Sequence, residues 1–71
     1  MKLTDYITER GLIPSHVAQK MGVTRQQLDK YNEKTYPTLR TMMRISIAMT
    51  EMGALTSVAD ISTALLKKGA Q

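Results

Sequence analysis

Apolar residues recur along this chain at intervals of three and four positions, and polar stretches containing glycine or proline separate the groups. Such spacing places apolar side chains on one face of an α-helix. No segment alternates apolar and polar residues with a period of two for long enough to predict a strand. The pattern therefore predicts an all-α chain with five helices, at about residues 3–10, 15–21, 25–32, 39–52 and 57–68.

Residues that favour the ends of helices flank these segments. Glycine adopts the left-handed conformation that ends many helices, and it follows four of the segments, as Gly11, Gly22, Gly53 and Gly69. Residues suited to a helix start begin four of them: Pro14 or Ser15, Thr24, Thr38 and Ser57. Thr24 and Ser57 are each followed, three positions later, by a side chain that can complete a capping box.

One face of each predicted helix is expected to form the core. The inward positions are Leu3, Tyr6, Ile7, Val17, Ala18, Met21, Leu28, Tyr31, Val58, Ile61 and Leu65. In the fourth helix, apolar residues occupy more than one face, which indicates a helix that is largely buried, or one that is buried by the chain itself on one side and by a partner on another. The positions predicted to contact that partner are Ile45, or alternatively Ile47, with Met49 and Met52. Leu65 and Leu66 of the fifth helix are the other candidates.

The length of 71 residues suits a single small domain. A domain of this size buries only about 60% of the surface that its unfolded chain exposes, so its stability is marginal. The chain has no cysteine, which excludes disulfides and thiolate zinc sites, and a homodimer is the expected source of additional stability. No apolar stretch is long and uncharged enough for a signal peptide or a membrane span, so a cytoplasmic location is expected.

Positive charge is concentrated in the middle of the chain. The net charge is +4, and residues 20–44 contain six lysine or arginine residues and two acidic ones. Four basic and four acidic residues balance in the rest of the chain. A localised basic region is typical of a protein that binds a polyanion, although a solvated surface with a modest positive bias is the alternative interpretation.

Residues 14–32 are predicted to form two short helices joined by a tight turn. The small Ala18 lies where the helices would cross, and Gly22 supplies the positive φ of the turn. Leu28 and Tyr31 would fix the second helix against the first. The side chains on its outer face can hydrogen-bond to base edges, as direct DNA recognition requires: Arg25, Gln26 and Lys30.

This segment resembles the helix-turn-helix of the lambda-repressor/Cro superfamily of phage, plasmid and bacterial regulators. A small residue, a glycine and two apolar residues at the family's spacing support the resemblance: Ala18, Gly22, Leu28 and Tyr31. The resemblance covers about residues 3–66, because the polar loop, Pro37 and the apolar helix that follow also match. It implies a compact five-helix lambda-repressor-like domain with its helix-turn-helix at about residues 14–32. It further implies a repressor that binds palindromic operator DNA as a dimer, through the major groove.

The resemblance also suggests roles for individual residues. The positions matching the family's base-reading residues are Thr24, Arg25, Gln26, Gln27 and Lys30. The positions expected to bind phosphates, from this match and from their charge, are Ser15, His16, Lys20, Asn32, Lys34, Thr35, Tyr36, Thr38, Arg40 and Arg44. Pro14 departs from the family, because many members use a glutamine near this point and proline has neither a side-chain donor nor a backbone N–H. Ser15 or His16 would have to replace that contact.

A protein-interaction module is the alternative function, in which the methionine-rich fourth helix binds another protein and the basic region keeps the chain soluble. An enzyme has no support, since the sequence contains no recognisable catalytic, metal-binding or cofactor-binding constellation. The carboxylates of Asp5 and Glu9 are expected on a solvated helix face. The expected partners are therefore double-stranded operator DNA and a second copy of the chain, with no small-molecule effector.

Overall fold

Five helices form where the apolar spacing and the capping residues predict them. The computed structural model describes residues 1–67, with the helices α1 (Leu3–Glu9), α2 (Pro14–Met21), α3 (Arg25–Asp29), α4 (Leu39–Glu51) and α5 (Val58–Leu66). No strand occurs within that range. The predicted all-α class and the number of helices are therefore confirmed. None of the helices in this part of the chain is long and apolar enough to cross a membrane.

The helices pack around a shared hydrophobic core. α4 packs against α2 and α5, and α1 contacts α2, α3 and α5, within overall dimensions of 30 × 21 × 20 Å. Every helix contributes at least one fully buried side chain, and the largest are Leu3, Ile7, Val17, Leu28, Ile45, Met49, Ile61 and Leu65. Burying a large aliphatic side chain stabilises the fold by roughly 1.5–3 kcal/mol relative to leaving it exposed. All the inward positions predicted above lie in this core or pack against it.

Side-chain caps hold the starts of three helices. Thr24 with Gln27, and Ser57 with Asp60, form complete capping boxes at α3 and α5. At α4 the hydroxyl of Thr38 accepts the backbone N–H of the third helical residue. The glycines predicted to end helices have positive φ wherever they are described, at Gly11, Gly22 and Gly53. Gly69 and the predicted end of the fifth helix at Lys68 lie outside the described residues.

α3 is shorter than the sequence predicts. Helix was expected through residue 32, but α3 ends at Asp29. Beyond it the carbonyl of Tyr31 accepts the backbone N–H of Leu3, with 3.1 Å between the nitrogen and the oxygen. The side-chain oxygen of Asn32 accepts two backbone N–H groups of its own loop, at 2.7 and 2.8 Å. The backbone N–H of Asn32 donates to the carbonyl of Thr35 at 3.1 Å, whereas a continued helix would need it for the carbonyl of Leu28. The loop that Asn32 organises therefore replaces the last turn of the predicted helix.

The predicted dimer contacts are largely wrong. Ile45, Met49 and Leu65 are each 0% exposed, so the folded chain leaves them no surface for a partner. Because α4 packs against both α2 and α5, the chain itself covers a wider face of α4 than the sequence pattern suggested. Met52 is half-buried against the core, whereas Leu66 and the alternative candidate Ile47 are exposed, at 57% and 56%.

The connection between α4 and α5 is fixed by a buried threonine. Thr56 is 3% exposed, and its hydroxyl donates to the carbonyl of Ala54. Its own carbonyl accepts hydrogen bonds from the hydroxyls of Ser46 and Thr50, and its N–H donates to Thr50. The hydroxyl, carbonyl and N–H of this buried residue all have hydrogen-bond partners, and these bonds fix the path of the chain from α4 into α5.

The capping box of α5 makes stability depend on pH. Hydrogen bonds from the backbone and side chain of Ser57, helped by the charge of Arg10, lower the pKa of Asp60 below its ordinary value of 3.8. A carboxylate with a depressed pKa stabilises the fold above its unfolded-state pKa, and the contribution is lost as pH falls through the folded-state pKa.

Asp60→Asn should therefore lower the free energy of unfolding at neutral pH, and the difference from wild type should disappear in acid. Urea unfolding across the acidic range tests this. An unchanged acid slope in Asp60→Asn would contradict the prediction.

Candidate functional site

The turn between α2 and α3 fixes where α3 lies. Gly22 has φ +74°, and its N–H donates to the carbonyls at the end of α2. The N–H of Val23 donates to the carbonyl of Ala18 at 3.0 Å, which closes the turn against a residue that is almost fully buried. Leu28 then anchors α3 in the core as its only buried side chain. The other side chains of this short helix are left at the surface or half-buried.

The five predicted base-reading residues are all exposed, but two of them have local partners. Thr24 and Gln27 bind one another's backbone N–H groups in the capping box, at 3.2 and 2.9 Å. Each of these two side-chain oxygens therefore already accepts one backbone N–H, while the hydroxyl hydrogen of Thr24 and the amide nitrogen of Gln27 remain as donors. Arg25, Gln26 and Lys30 remain as the polar side chains that take no part in capping α3.

Arg25 and Lys30 are held by weak contacts that leave their charged groups in solvent. The Nε of Arg25 lies 3.7 Å from a carboxylate oxygen of Asp29, one turn further along α3, and both side chains are about half exposed. The ammonium of Lys30 lies 5.2 Å from the centre of the Tyr31 ring. An exposed ion pair contributes about 0.2–1 kcal/mol, and an exposed contact between a cation and an aromatic ring about 0.5–1 kcal/mol, so either cation can exchange its partner for a stronger anion.

A groove between α3 and α4 brings together residues from the two predicted sets. Gln27 and Lys30 line one wall, and Thr41 and Arg44 line the other. Arg44 also donates from Nη2 to the carbonyl of Met21 at 2.7 Å, which ties α4 to the last turn of α2. This arginine therefore has a structural role that the sequence did not indicate, in addition to its position beside α3.

The other predicted phosphate-binding residues fall into two groups. Four have side chains engaged within the fold: Lys20, Asn32, Tyr36 and Thr38. Lys20 pairs with Glu51 at 3.5 Å, and the hydroxyl of Tyr36 hydrogen-bonds to that of Ser62 on α5. The remaining side chains are exposed and have no hydrogen bond or ion pair within residues 1–67: Ser15, His16, Lys34, Thr35 and Arg40. Ser15 and His16 lie in the first turn of α2, and neither lines the groove between α3 and α4.

Lys2 is a cation near the candidate site that sequence reasoning missed. Together with Met1, it lines a shallow cavity whose other wall is Asn32, Glu33 and Lys34. The hydrogen bond between Leu3 and Tyr31 brings these segments together, although they are about thirty positions apart in the chain. No local sequence pattern signals such a contact. The basic surface around α3 therefore extends beyond residues 20–44.

Comparisons with known protein families, with curated proteins and with solved structures find no match to this chain. Within residues 1–67, no three histidine or acidic side chains lie close enough together to hold a metal ion. The candidate site is therefore identified from the structure of this chain alone. It consists of a short helix with an exposed polar face and cations along its borders.

Gly22 is predicted to be required for its backbone conformation alone. No atom lies within 4 Å of the place where a Cβ would be added, so a substitution meets no steric obstacle. An L-residue in the left-handed region costs roughly 1–2 kcal/mol, and asparagine tolerates that region better than alanine. Gly22→Ala should lower the free energy of unfolding by about that amount, measured by urea denaturation, and Gly22→Asn should lower it less. Equal losses in the two variants would show that something other than φ limits this position.

Proposed function

We propose that this chain is a sequence-specific DNA-binding transcriptional regulator with a lambda-repressor-like helix-turn-helix, formed by α2, the turn at Gly22 and α3. One observation carries the proposal. α3 is anchored by the single buried side chain of Leu28, and it presents Arg25, Gln26 and Lys30 to solvent on a surface bordered by further cations. An α-helix with such a face fits the major groove, which is about 12 Å wide.

The exposed residues of α3 have the chemistry for direct recognition of bases. The guanidinium of Arg25 can bind O6 and N7 of guanine with two hydrogen bonds, after releasing its exposed contact with Asp29. The amide of Gln26 can bind N6 and N7 of adenine in the same way. Lys30, at the end of α3, can donate to guanine or to a phosphate. Gln27 is a lesser candidate, because its side-chain oxygen already caps the helix.

Affinity without sequence preference would come from the cations beside α3. Lys34 and Lys2 lie on either side of one shallow cavity, and Arg40 projects from the first turn of α4. Contacts of this type fix the position of a protein on the duplex but carry no base information. Lys20 is a weaker candidate, since it already pairs with Glu51.

The mechanism we propose is repression by exclusion. Two copies would bind a palindromic operator with their α3 helices in successive major grooves, about 34 Å apart, and prevent the polymerase from binding. The chain would act in the cytoplasm without enzymatic activity, cofactor or small-molecule effector, and its concentration would set the extent of repression. Selection of bound sites from random DNA tests this directly. A palindromic consensus with half-sites one helical turn apart is expected, and recovery of no consensus would reject sequence-specific binding.

A protein-interaction module is the second candidate, favoured by the exposed apolar residues of α4. Leu39, Met43 and Ile47 are each at least half exposed, which is unusual for three large apolar side chains on one helix. Retardation of operator fragments at about 0.15 M salt, where phosphate-driven binding by a few cations is already weakened, separates the two functions. A chain that ignores DNA under these conditions would favour the second.

Arg25 is predicted to carry sequence specificity. Arg25→Ala should weaken binding to the selected site by about 1–3 kcal/mol and relax the preference at one base position, with little effect on random DNA. Fluorescence anisotropy with the selected site, its single-base variants and random duplex measures both quantities. Asp29→Ala is the matched control, because it removes the same ion pair and leaves the guanidinium in place. An equal loss on specific and random DNA in Arg25→Ala would contradict the role given to this residue.

Lys34 is predicted to act through phosphate alone. Lys34→Ala should weaken binding to all duplexes alike, and the slope of log K against log salt should fall by about 0.9, the value for one phosphate contact. Lys67→Ala removes the same charge at the end of α5 and should leave that slope unchanged. A change of base preference in Lys34→Ala, or an identical effect of the two substitutions, would argue against the proposed arrangement.

A further inference from the structure

The outward face of α4 carries an apolar stripe that the chain does not cover. Leu39, Met43 and Ile47 follow one another at intervals of four residues, and they are 62%, 50% and 56% exposed. The opposite face of the same helix holds the core residues Ile45 and Met49, which are completely buried. Residues four apart lie above one another on a helix, so the three exposed side chains form one continuous strip. Contiguous exposed apolar surface of this kind marks an interaction site more often than a solvated face.

Two charges beside the stripe, those of Arg40 and Glu51, can meet across a pair of copies. Glu51 would exchange its exposed ion pair with Lys20 for one with the partner, while Arg44 on the same edge donates to the carbonyl of Met21 in its own chain. Arg40 and Glu51 are eleven residues apart, close to three full helical turns, so both lie along the same edge of the stripe, about 16 Å apart. Arg40 is near the amino end of α4, and Glu51 is its last residue. If a second α4 packs antiparallel, each edge meets the same edge of the partner, and a positive end faces a negative one. A parallel arrangement would instead place the two charged edges on opposite sides of the interface, where their charges do not meet.

One antiparallel register pairs the two central apolar residues of the stripe and the charges together. An antiparallel pair that sets Met43 of one copy against Ile47 of the other has its two-fold axis near residue 45. In that register Arg40 falls within one residue of Glu51 on the partner. The same alignment therefore packs Met43 of each copy against Ile47 of the other and forms two equivalent ion pairs, with Leu39 at each end beside the partner's Glu51.

We propose that the stripe formed by Leu39, Met43 and Ile47 is the interface between two copies of this chain, packed antiparallel along α4. This inference rests on the proposed dimer, and it replaces the buried residues that the sequence suggested for the interface. Three half-exposed side chains supply much less than the roughly 800 Å² per partner of a standard stable interface. The dimer is therefore weak in free solution, and binding to adjacent half-sites strengthens it.

Charged substitutions in the stripe test the interface without disturbing the core. Met43→Glu and Ile47→Glu change exposed positions to a residue that favours helix, so folding should persist and circular dichroism can verify it. Sedimentation equilibrium of the full chain should show that either substitution weakens self-association more than about tenfold, as expected for a central interface residue. Leu55→Glu, at a position 79% exposed outside α4, is the matched control and should have no effect. Leu66→Glu tests the rival surface on α5. The proposal would be overturned if Leu66→Glu abolished the dimer while Met43→Glu and Ile47→Glu left it intact.

Charge exchange tests the antiparallel register. Arg40→Glu places acidic groups opposite one another in the proposed pair and should weaken self-association. Adding Glu51→Arg together with Lys20→Ala, which removes the cation that pairs with Glu51 in the same chain, should recover part of the loss. Failure of the added substitutions to restore any association would reject this register.

The outcomes also separate this inference from the proposed function. A dimer that depends on Met43 and Ile47 but does not bind DNA would uphold the interface and reject the regulator. If Ile47→Glu left the binding of two copies to a palindromic site unchanged, the proposed interface would be rejected and the proposed regulator would stand.

Discussion

The position of α3 depends on anchors that lie outside it. A helix of five residues has no stability of its own in water, because the cost of its first turn is not recovered over so short a length. Its amino end is fixed by the left-handed turn at Gly22, its middle by the burial of Leu28, and the residue beyond its end by the bond from Leu3 to Tyr31. The exposed face of α3 is rigid because α1 and α2 hold it.

The same anchors determine which polar groups of α3 remain available. The capping box that starts the helix uses the hydroxyl oxygen of Thr24 and the side-chain oxygen of Gln27 as acceptors. These two residues therefore stabilise the helix, and the capacity to bind another molecule rests mainly on Arg25, Gln26 and Lys30. Thr24 caps α3 and Gln26 does not. In the proposed complex, substitutions at Thr24 would therefore change stability and DNA binding together, whereas substitutions at Gln26 would change DNA binding alone.

Local features of the fold were predictable from the sequence, and contacts between distant segments were not. The caps at Thr24 and Ser57 depend on residues three positions apart, so their patterns are visible in the chain itself. The proximity of Lys2 to Lys34 arises from tertiary packing, which leaves no local pattern. The buried position of Met49 was misjudged for a related reason. An apolar residue covered by a neighbouring helix of its own chain has the same sequence signature as one covered by a partner.

α4 links the two proposed surfaces of the molecule. On one side its Arg44 donates to the carbonyl of Met21, the residue directly before the turn at Gly22. On its outer side is the stripe that we propose as the contact between two copies. The proposed two-fold axis is therefore connected to the turn that positions α3 by the hydrogen bond from Arg44 and by the packing of α2 on α4. A linkage this short would fix the spacing of the two α3 helices, so that an altered α4 contact would change which half-site spacing the pair accepts.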